Sequence, residues 1–248
     1  MDMMKIRILL FFLLIFSSQV TYAQMNVLES YPQNQYFYEG GAVEFYKQAH
    51  EYLTHNQFKE CGEKEIYQPR IIITKEGTVK KIKDNDTVNI AKNKCAFDLS
   101  MEVLKNLKNW KVADVKGVKI GAITEFIFYP KDLMSNYKKG YDARTFVIHA
   151  QYPGGNKKLN EDFHDNFMTI FADYQINGAL SLEFYVNDKG YMTNPRIYPE
   201  IDNQNFNMNF LRTFSRLKKV WKPALYSNIP IKQKIVYPME FSVKFIER

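Results

Sequence analysis

Leu180-Ser181-Leu182-Glu183-Phe184-Tyr185-Val186-Asn187-Asp188-Lys189-Gly190 is the stretch whose reading decides the fold. Leu180, Leu182, Phe184 and Val186 alternate with Ser181, Glu183 and Tyr185, the period of a strand with one buried face. Asn187-Asp188-Lys189-Gly190 is turn chemistry, with a glycine to supply positive φ, and a second strand returns from Met192 onward. Upstream, Gly154-Gly155 opens a stretch in which Leu159, Phe163, Phe167 and Phe171 recur at helical spacing. Downstream, Leu211, Phe214 and Leu217 mark the inward side of a second helix, which ends at Trp221-Lys222-Pro223-Ala224 because proline cannot continue it. A long strand from about Ile231 to Phe245 closes the unit. Strands and helices mixed in this way predict an α+β fold.

The same order occurs earlier in the chain. Tyr38-Glu39-Gly40-Gly41 matches Tyr152-Pro153-Gly154-Gly155, and Val43, Tyr46, Ala49 and Leu53 follow at helical spacing. Ile66 to Thr74, then Lys75-Glu76-Gly77, then Val79 onward form a strand, turn and strand. Met101, Leu104 and Leu107 face inward on a helix that ends at Trp110-Lys111-Val112-Ala113, and Val118 to Tyr129 is the closing strand. The offset is 114 between Gly40 and Gly154, 113 between Gly77 and Gly190, and 111 between Trp110 and Trp221, as short loop indels in a duplicated module would leave it. The modules are expected at residues 24–130 and 151–248, joined by a short linker over residues 131–150. Trp110 and Trp221 read as core anchors at equivalent helix ends. Tyr36, Phe37 and Tyr38 form either an exposed patch or packing beneath the first helix.

Lys5 and Arg7 precede the apolar run Ile8 to Phe16, which gives way to Ser17, Ser18 and Gln19 and ends in Thr21-Tyr22-Ala23. This is a secretory signal layout, so residues 1–23 are expected to be removed and the protein to be periplasmic or secreted. The nine apolar residues make about half of a spanning helix, which leaves a retained anchor as the lesser alternative. Removal leaves about 225 residues, room for two domains of roughly 100. It takes the formal charge from +7 to +6, mostly as thinly spread lysine. Export denies a cationic surface its usual nucleic acid, so acidic envelope surfaces are the expected electrostatic partners. Cys61 and Cys95 would then lie where disulfides persist; pairing is expected, with two buried or free thiols as the alternative.

The second module resembles the carboxy-terminal domain of TonB in its Bacteroidetes form. The resemblance rests on Tyr152-Pro153-Gly154-Gly155, the hairpin Leu182 to Gly190, Trp221-Lys222-Pro223-Ala224 and Tyr237-Pro238-Met239-Glu240-Phe241. It covers residues 151–246, and the first module resembles a divergent copy retaining Gly40-Gly41, Gly77, Trp110 and the strand around Phe126. The resemblance implies, in each module, an antiparallel sheet of about three strands with two helices on one face. It also implies β-augmentation, in which an unpaired edge takes an extended guest through main-chain hydrogen bonds. The implied pairing strand is Ile231, Lys232, Gln233, Lys234, Ile235 and Val236, limited by the missing donor of Pro238. The implied partner is a protein of the cell envelope, a TonB-dependent transporter being one candidate. A transducer of this kind would need a retained inner-membrane helix and a Pro-rich spacer, and the sequence pattern offers neither, so force transmission is not expected.

No catalytic centre emerges. His50 and His55 are five residues apart and so about 140° apart on a helix, the wrong geometry for two metal ligands. Glu161, His164 and Asp165 read as a solvated helix face. Asp84-Asn85-Asp86 lacks the later glycine and glutamate of a calcium loop. No GxSxG element and no phosphate-cradling glycine loop occurs. The expectation is a non-catalytic interaction protein without metal or cofactor, with a carbohydrate or cell-wall binder as the alternative.

Overall fold

The computed structural model describes residues 27–174, 178–217 and 220–241. The leader pattern and residues 242–245 of the expected closing strand lie outside them. The fold is α+β, with six helices and small, mostly antiparallel sheets, and no described helix is long and apolar enough to cross a membrane. The chain divides into two units that are discontinuous in sequence: described residues 27–61 and 69–141 form the first, 62–68 and 142–241 the second.

Unit 1 contains β1 (Val27–Leu28), α1 (Gly41–His55), β2 (Arg70–Ile73), β3 (Val79–Lys81), α2 (Thr87–Lys92), α3 (Lys94–Asn106), β4 (Ala113–Val115), β5 (Val118–Glu125) and α4 (Pro130–Leu133). Its sheet runs β1-β5-β2-β3, with β4 also paired to β5. The glycine pair opens α1 because both residues need positive φ, 78° at Gly40 and 81° at Gly41. The helix buries Ala42, Phe45, Tyr46, Ala49 and Leu53. Val43, expected inward, is 42% exposed, since the apolar stripe passes through its neighbour Ala42 instead. Helix α2 was not foreseen: Asp86 caps it by accepting from the Asn89 amide at 2.9 Å, so Asp84-Asn85-Asp86 is turn and cap chemistry. Cys61 and Cys95 form a disulfide.

Unit 2 contains a 3-10 turn (Ala143–Phe146), β6 (Val147–Ile148), α5 (Gly155–Tyr174), β7 (Gly178–Val186), β8 (Met192–Tyr198), α6 (Gln204–Phe214), β9 (Ala224–Tyr226), β10 (Ile229–Ile231) and β11 (Gln233–Phe241). One sheet runs β11-β7-β8 and another β10-β9-β6. Leu180, Leu182, Phe184 and Val186 of β7 join Leu159, Phe163 and Phe167 of α5 and Phe206, Phe210 and Phe214 of α6 in one core, so both helices cover the same face. The Phe171 side chain lies outside the described residues. Leu211, expected inward, is 50% exposed because the buried stripe of α6 is centred on the phenylalanines at 206, 210 and 214.

The two units share strand register as well as element order. Ile73 opposite Ala122 in unit 1 recurs as Val186 opposite Gln233 in unit 2, and Arg70 opposite Glu125 recurs as Glu183 opposite Val236. The hairpin pairing Val115 with Val118 and Ala113 with Ile120 recurs as Tyr226 with Ile229 and Ala224 with Ile231. Thus β10 and β11 together correspond to the single strand β5.

Residues 131–150 are built into the two units, with the division between Tyr141 and Asp142. Leu133 and Tyr141 are buried in the first and Ala143 in the second, anchors that a free linker would lack. The first hairpin is also shorter than Ile66 to Thr74 implied, because residues 62–68 belong to unit 2.

Gly190 adopts φ 85°, and a Cβ there would collide with the Trp221 carbonyl oxygen. Gly190→Ala should therefore cost unit 2 about 3 kcal/mol, and Gly117→Ala, with positive φ but open space, about 1 kcal/mol, in guanidinium denaturation. Replacing Cys61 and Cys95 by serine opens a loop with a sequence separation of 34 and should lower unit 1 stability by about 3 to 4 kcal/mol in the same assay.

Candidate strand-pairing edge

The outward side of β11 follows from one hydrogen bond at the far end of the sheet. Asn187 donates its N–H to Tyr191 O at 2.9 Å across the β7–β8 hairpin, so the backbone groups of Val186 face the opposite way, toward Gln233 on β11. The β7–β11 pairing is regular from Gln233–Val186 to Phe241–Gly178. Alternation then turns the N–H and C=O of Lys232, Lys234 and Val236 away from β7, together with the carbonyl of Pro238. Pro238 thus lacks its donor on the outer side, where no β7 ladder bond is lost. Among the described residues, no strand pairs with that side of β11.

The ladder begins at an occupied position. Gln68 Nε2 donates to Lys232 O at 2.7 Å and Gln68 Oε1 accepts from Lys232 N at 3.0 Å, so one carboxamide satisfies both backbone groups as a peptide unit would. In unit 1 the residue equivalent to Lys232 is Gly121, which lies opposite Val27 of β1. Strand β1 runs parallel to β5, so the equivalent ladder of unit 1 carries an extended piece of the protein's own chain.

Opposite the helices, the sheet of unit 2 carries charge. Glu183 is 9% exposed; its Oε2 lies 2.9 Å from Lys234 Nζ and accepts from Arg196 Nε at 2.7 Å and from Arg196 Nη2. Lys232 Nζ stands 5.0 Å above the Tyr185 ring. Burial raises the Glu183 pKa, but the hydrogen bonds and charges of Lys234 and Arg196 outweigh it and hold the carboxyl below its usual range.

The residues singled out from sequence do not form one strand. Ile231 belongs to β10, opposite Ala224; Lys232 lies between strands under the Gln68 clamp; Gln233, Lys234, Ile235 and Val236 begin β11. The Gln233 side chain accepts from the Ala150 amide and meets His149, tying the start of β11 to residues just past β6. Gly154 and Gly155 open α5, Gly190 closes the hairpin, and Pro223 lies between Trp221 and β9. Trp221 is 5% exposed within the core cluster, and the Trp110 indole donates to Leu107 O at 3.0 Å. His50 hydrogen-bonds Leu133 O and stacks on Tyr137, while His164 is exposed beside Asp165. Gln68 was not anticipated. A lone glutamine before Pro69 gives no periodic or motif signal, and its role exists only once Lys232 is placed opposite it.

No family model, no curated protein and no solved structure matches the chain.

Because the Glu183 pKa is lowered on folding, its contribution to stability should be complete above the ordinary value of 4.5 and fade as pH falls through the depressed one. Glu183→Gln should cost about 1 to 2 kcal/mol at neutral pH. Denaturation of wild type and variant between pH 3 and 7 should show that difference shrinking toward the acid end.

Proposed function

We propose that the protein is an exported, non-catalytic binding protein whose second unit captures an extended segment of an envelope or outer-membrane protein by pairing with the outer backbone of β11. The observation that carries this reading is the outward row at Lys234, Val236 and Pro238, which no strand covers among the described residues. Main-chain pairing at such an edge supplies affinity with little dependence on guest sequence, while flanking side chains supply selection. The occupied ladder of unit 1 supports it as well: this backbone arrangement accepts an extended segment on β5, here the protein's own β1. The opposite sheet edge is a poorer host. β8 contains Pro195 and a bulge where Asn194 and Pro195 lie across from Phe184, and both features discourage pairing. The Cys61–Cys95 disulfide supports an oxidising compartment, in keeping with the leader pattern and with a periplasmic or secreted location. The TonB resemblance supports an outer-membrane transporter as the kind of partner.

A second reading, carbohydrate or wall binding, rests on Tyr191 and Tyr198, which are 54% and 58% exposed. Co-sedimentation with purified wall material separates the two, because a strand-pairing protein stays in the supernatant.

Peptides from the amino-terminal extensions of outer-membrane transporters should bind the full chain in a pull-down. Lys234→Pro removes an outward donor and spares the bonds to β7, and it should weaken capture at least about tenfold relative to Lys234→Gln, which loses the same ion pair to Glu183 but keeps the donor. Unchanged capture by Lys234→Pro would rule out pairing at β11.

A further inference from the structure

The outward side of β5 in unit 1 follows from the β2–β3 hairpin. Thr74 donates its N–H to Thr78 O at 2.8 Å and Ile82 donates to Arg70 O at 3.0 Å, so Arg70, Ile72 and Thr74 turn their backbone groups toward β3. Ile71 and Ile73 therefore turn theirs toward Thr124 and Ala122 of β5, which leaves the N–H and C=O of Gly121 and Ile123 facing away from β2. Strand β1 runs parallel along that side, with Val27 opposite Gly121 and Leu28 opposite Ala122. In this register Leu28 gives its N–H to the Gly121 carbonyl and takes the Ile123 N–H on its own. The hold is slight. The ladder is two residues long, both residues are only half-buried, and the ion pair that follows, Glu29 Oε2 to Arg70 Nη2 at 3.0 Å, lies at the surface. The chain is anchored again just downstream, where the Tyr31 hydroxyl donates to Lys111 O at 2.6 Å and the Gln35 carboxamide holds both backbone groups of Asp114. Strand β1 can thus leave β5 while the segment behind it stays in place.

We infer that β5 is a second strand-pairing edge, matched to a parallel extended segment with two apolar residues followed by a carboxylate, and that β1 is its displaceable occupant. The occupant displays the chemistry that fits. Val27 and Leu28 lie along Gly121 and Ala122, and the next residue brings a carboxylate to Arg70, where a basic residue would meet a like charge. A partner segment of that pattern makes the same main-chain bonds and the same ion pair, so it replaces β1 without loss of either. The inference rests on the strand-pairing reading above in taking a sheet edge as the recognition surface, but it concerns the other unit and a different strand. It gives the chain two edges, one on β11 and one on β5 that its own amino-terminal strand keeps latched.

The probe is a fluorescein-labelled peptide of residues 26–31 of this chain, Asn-Val-Leu-Glu-Ser-Tyr, titrated with the full chain and read by fluorescence anisotropy. In the unmodified protein β1 competes with it at an effective concentration of about a millimolar, so binding should be weak. Leu28→Pro removes the β1 N–H that reaches Gly121 O and should tighten peptide binding at least about tenfold. Glu29→Arg leaves the backbone intact, sets like charge against Arg70 and should act in the same direction, so the result does not hang on a single variant. In Leu28→Pro, an analogue with lysine in place of Glu29 should bind about fivefold more weakly at low ionic strength, and adding Arg70→Gln should erase that difference. Adding Lys234→Pro to Leu28→Pro should leave binding unchanged, which assigns the peptide to β5 and not to β11. No gain in affinity in either releasing variant would overturn the inference. So would loss of binding on adding Lys234→Pro, which would put the peptide on β11. Equal affinity for the glutamate and lysine peptides in Leu28→Pro would overturn the acidic match and with it the stated partner. Capture of transporter peptides by the unmodified protein, tested with Lys234→Pro alone, decides strand pairing on β11 separately.

Discussion

The register of β11 on β7 is the constraint from which the other features of the candidate edge follow. Once Asn187 is committed to the hairpin, Val186 must face Gln233, and alternation fixes which backbone groups of β11 point inward to the sheet and which outward. The same alternation divides the side chains. Ile235, Tyr237 and Met239 pack on the aromatic core under α5 and α6, while Lys234, Val236 and Pro238 lie on the other face. A slip of one residue would turn lysine into the core and place the proline where β7 needs a donor. The hairpin at Gly190 holds this register in place, since its carbonyl accepts from the Trp221 amide and its missing side chain leaves room for the Trp221 carbonyl.

Much of the fold was legible because it is written in periodic patterns. The alternation in Leu180 to Val186 and the helical spacing of Leu159, Phe163 and Phe167 report burial directly, and the three buried residues of that helix confirm the reading. Glycine pairs, the hairpin glycine and the tryptophan motif mark boundaries because each imposes a backbone constraint that other residues satisfy poorly. Val43 and Leu211 were misplaced because each flanks the buried stripe of its helix, where apolar character alone does not settle the side.

What remained illegible depends on partners distant in sequence or on pieces too short to show a period. Strand β1 is two residues long, and nothing within Val27–Leu28 announces its pairing with Gly121 and Ala122. The split of the expected closing strand into β10 and β11 is decided at Lys232, where a glutamine from far upstream takes the place of a neighbouring strand. Gln35 does the same in unit 1: its carboxamide donates to Asp114 O at 2.7 Å and accepts from Asp114 N at 2.9 Å. Both glutamines answer the demand that buried or edge peptide groups be satisfied, and both look like ordinary polar residues in the sequence. The helix that Asp86 caps was missed as well, although an aspartate just ahead of Thr87 is the usual chemistry of a helix start.

Spatial order in this protein departs from chain order at Gly62–Gln68, which belong to unit 2 although unit 1 resumes at Pro69. The excursion lies inside the covalent ring closed by Cys61 and Cys95. Neither unit is therefore a portable cassette. A clone beginning at Asp142 would carry β11 but leave behind the only described side chain that caps the Lys232 peptide groups, and grafting the edge onto another scaffold would mean transplanting two separate stretches of polypeptide.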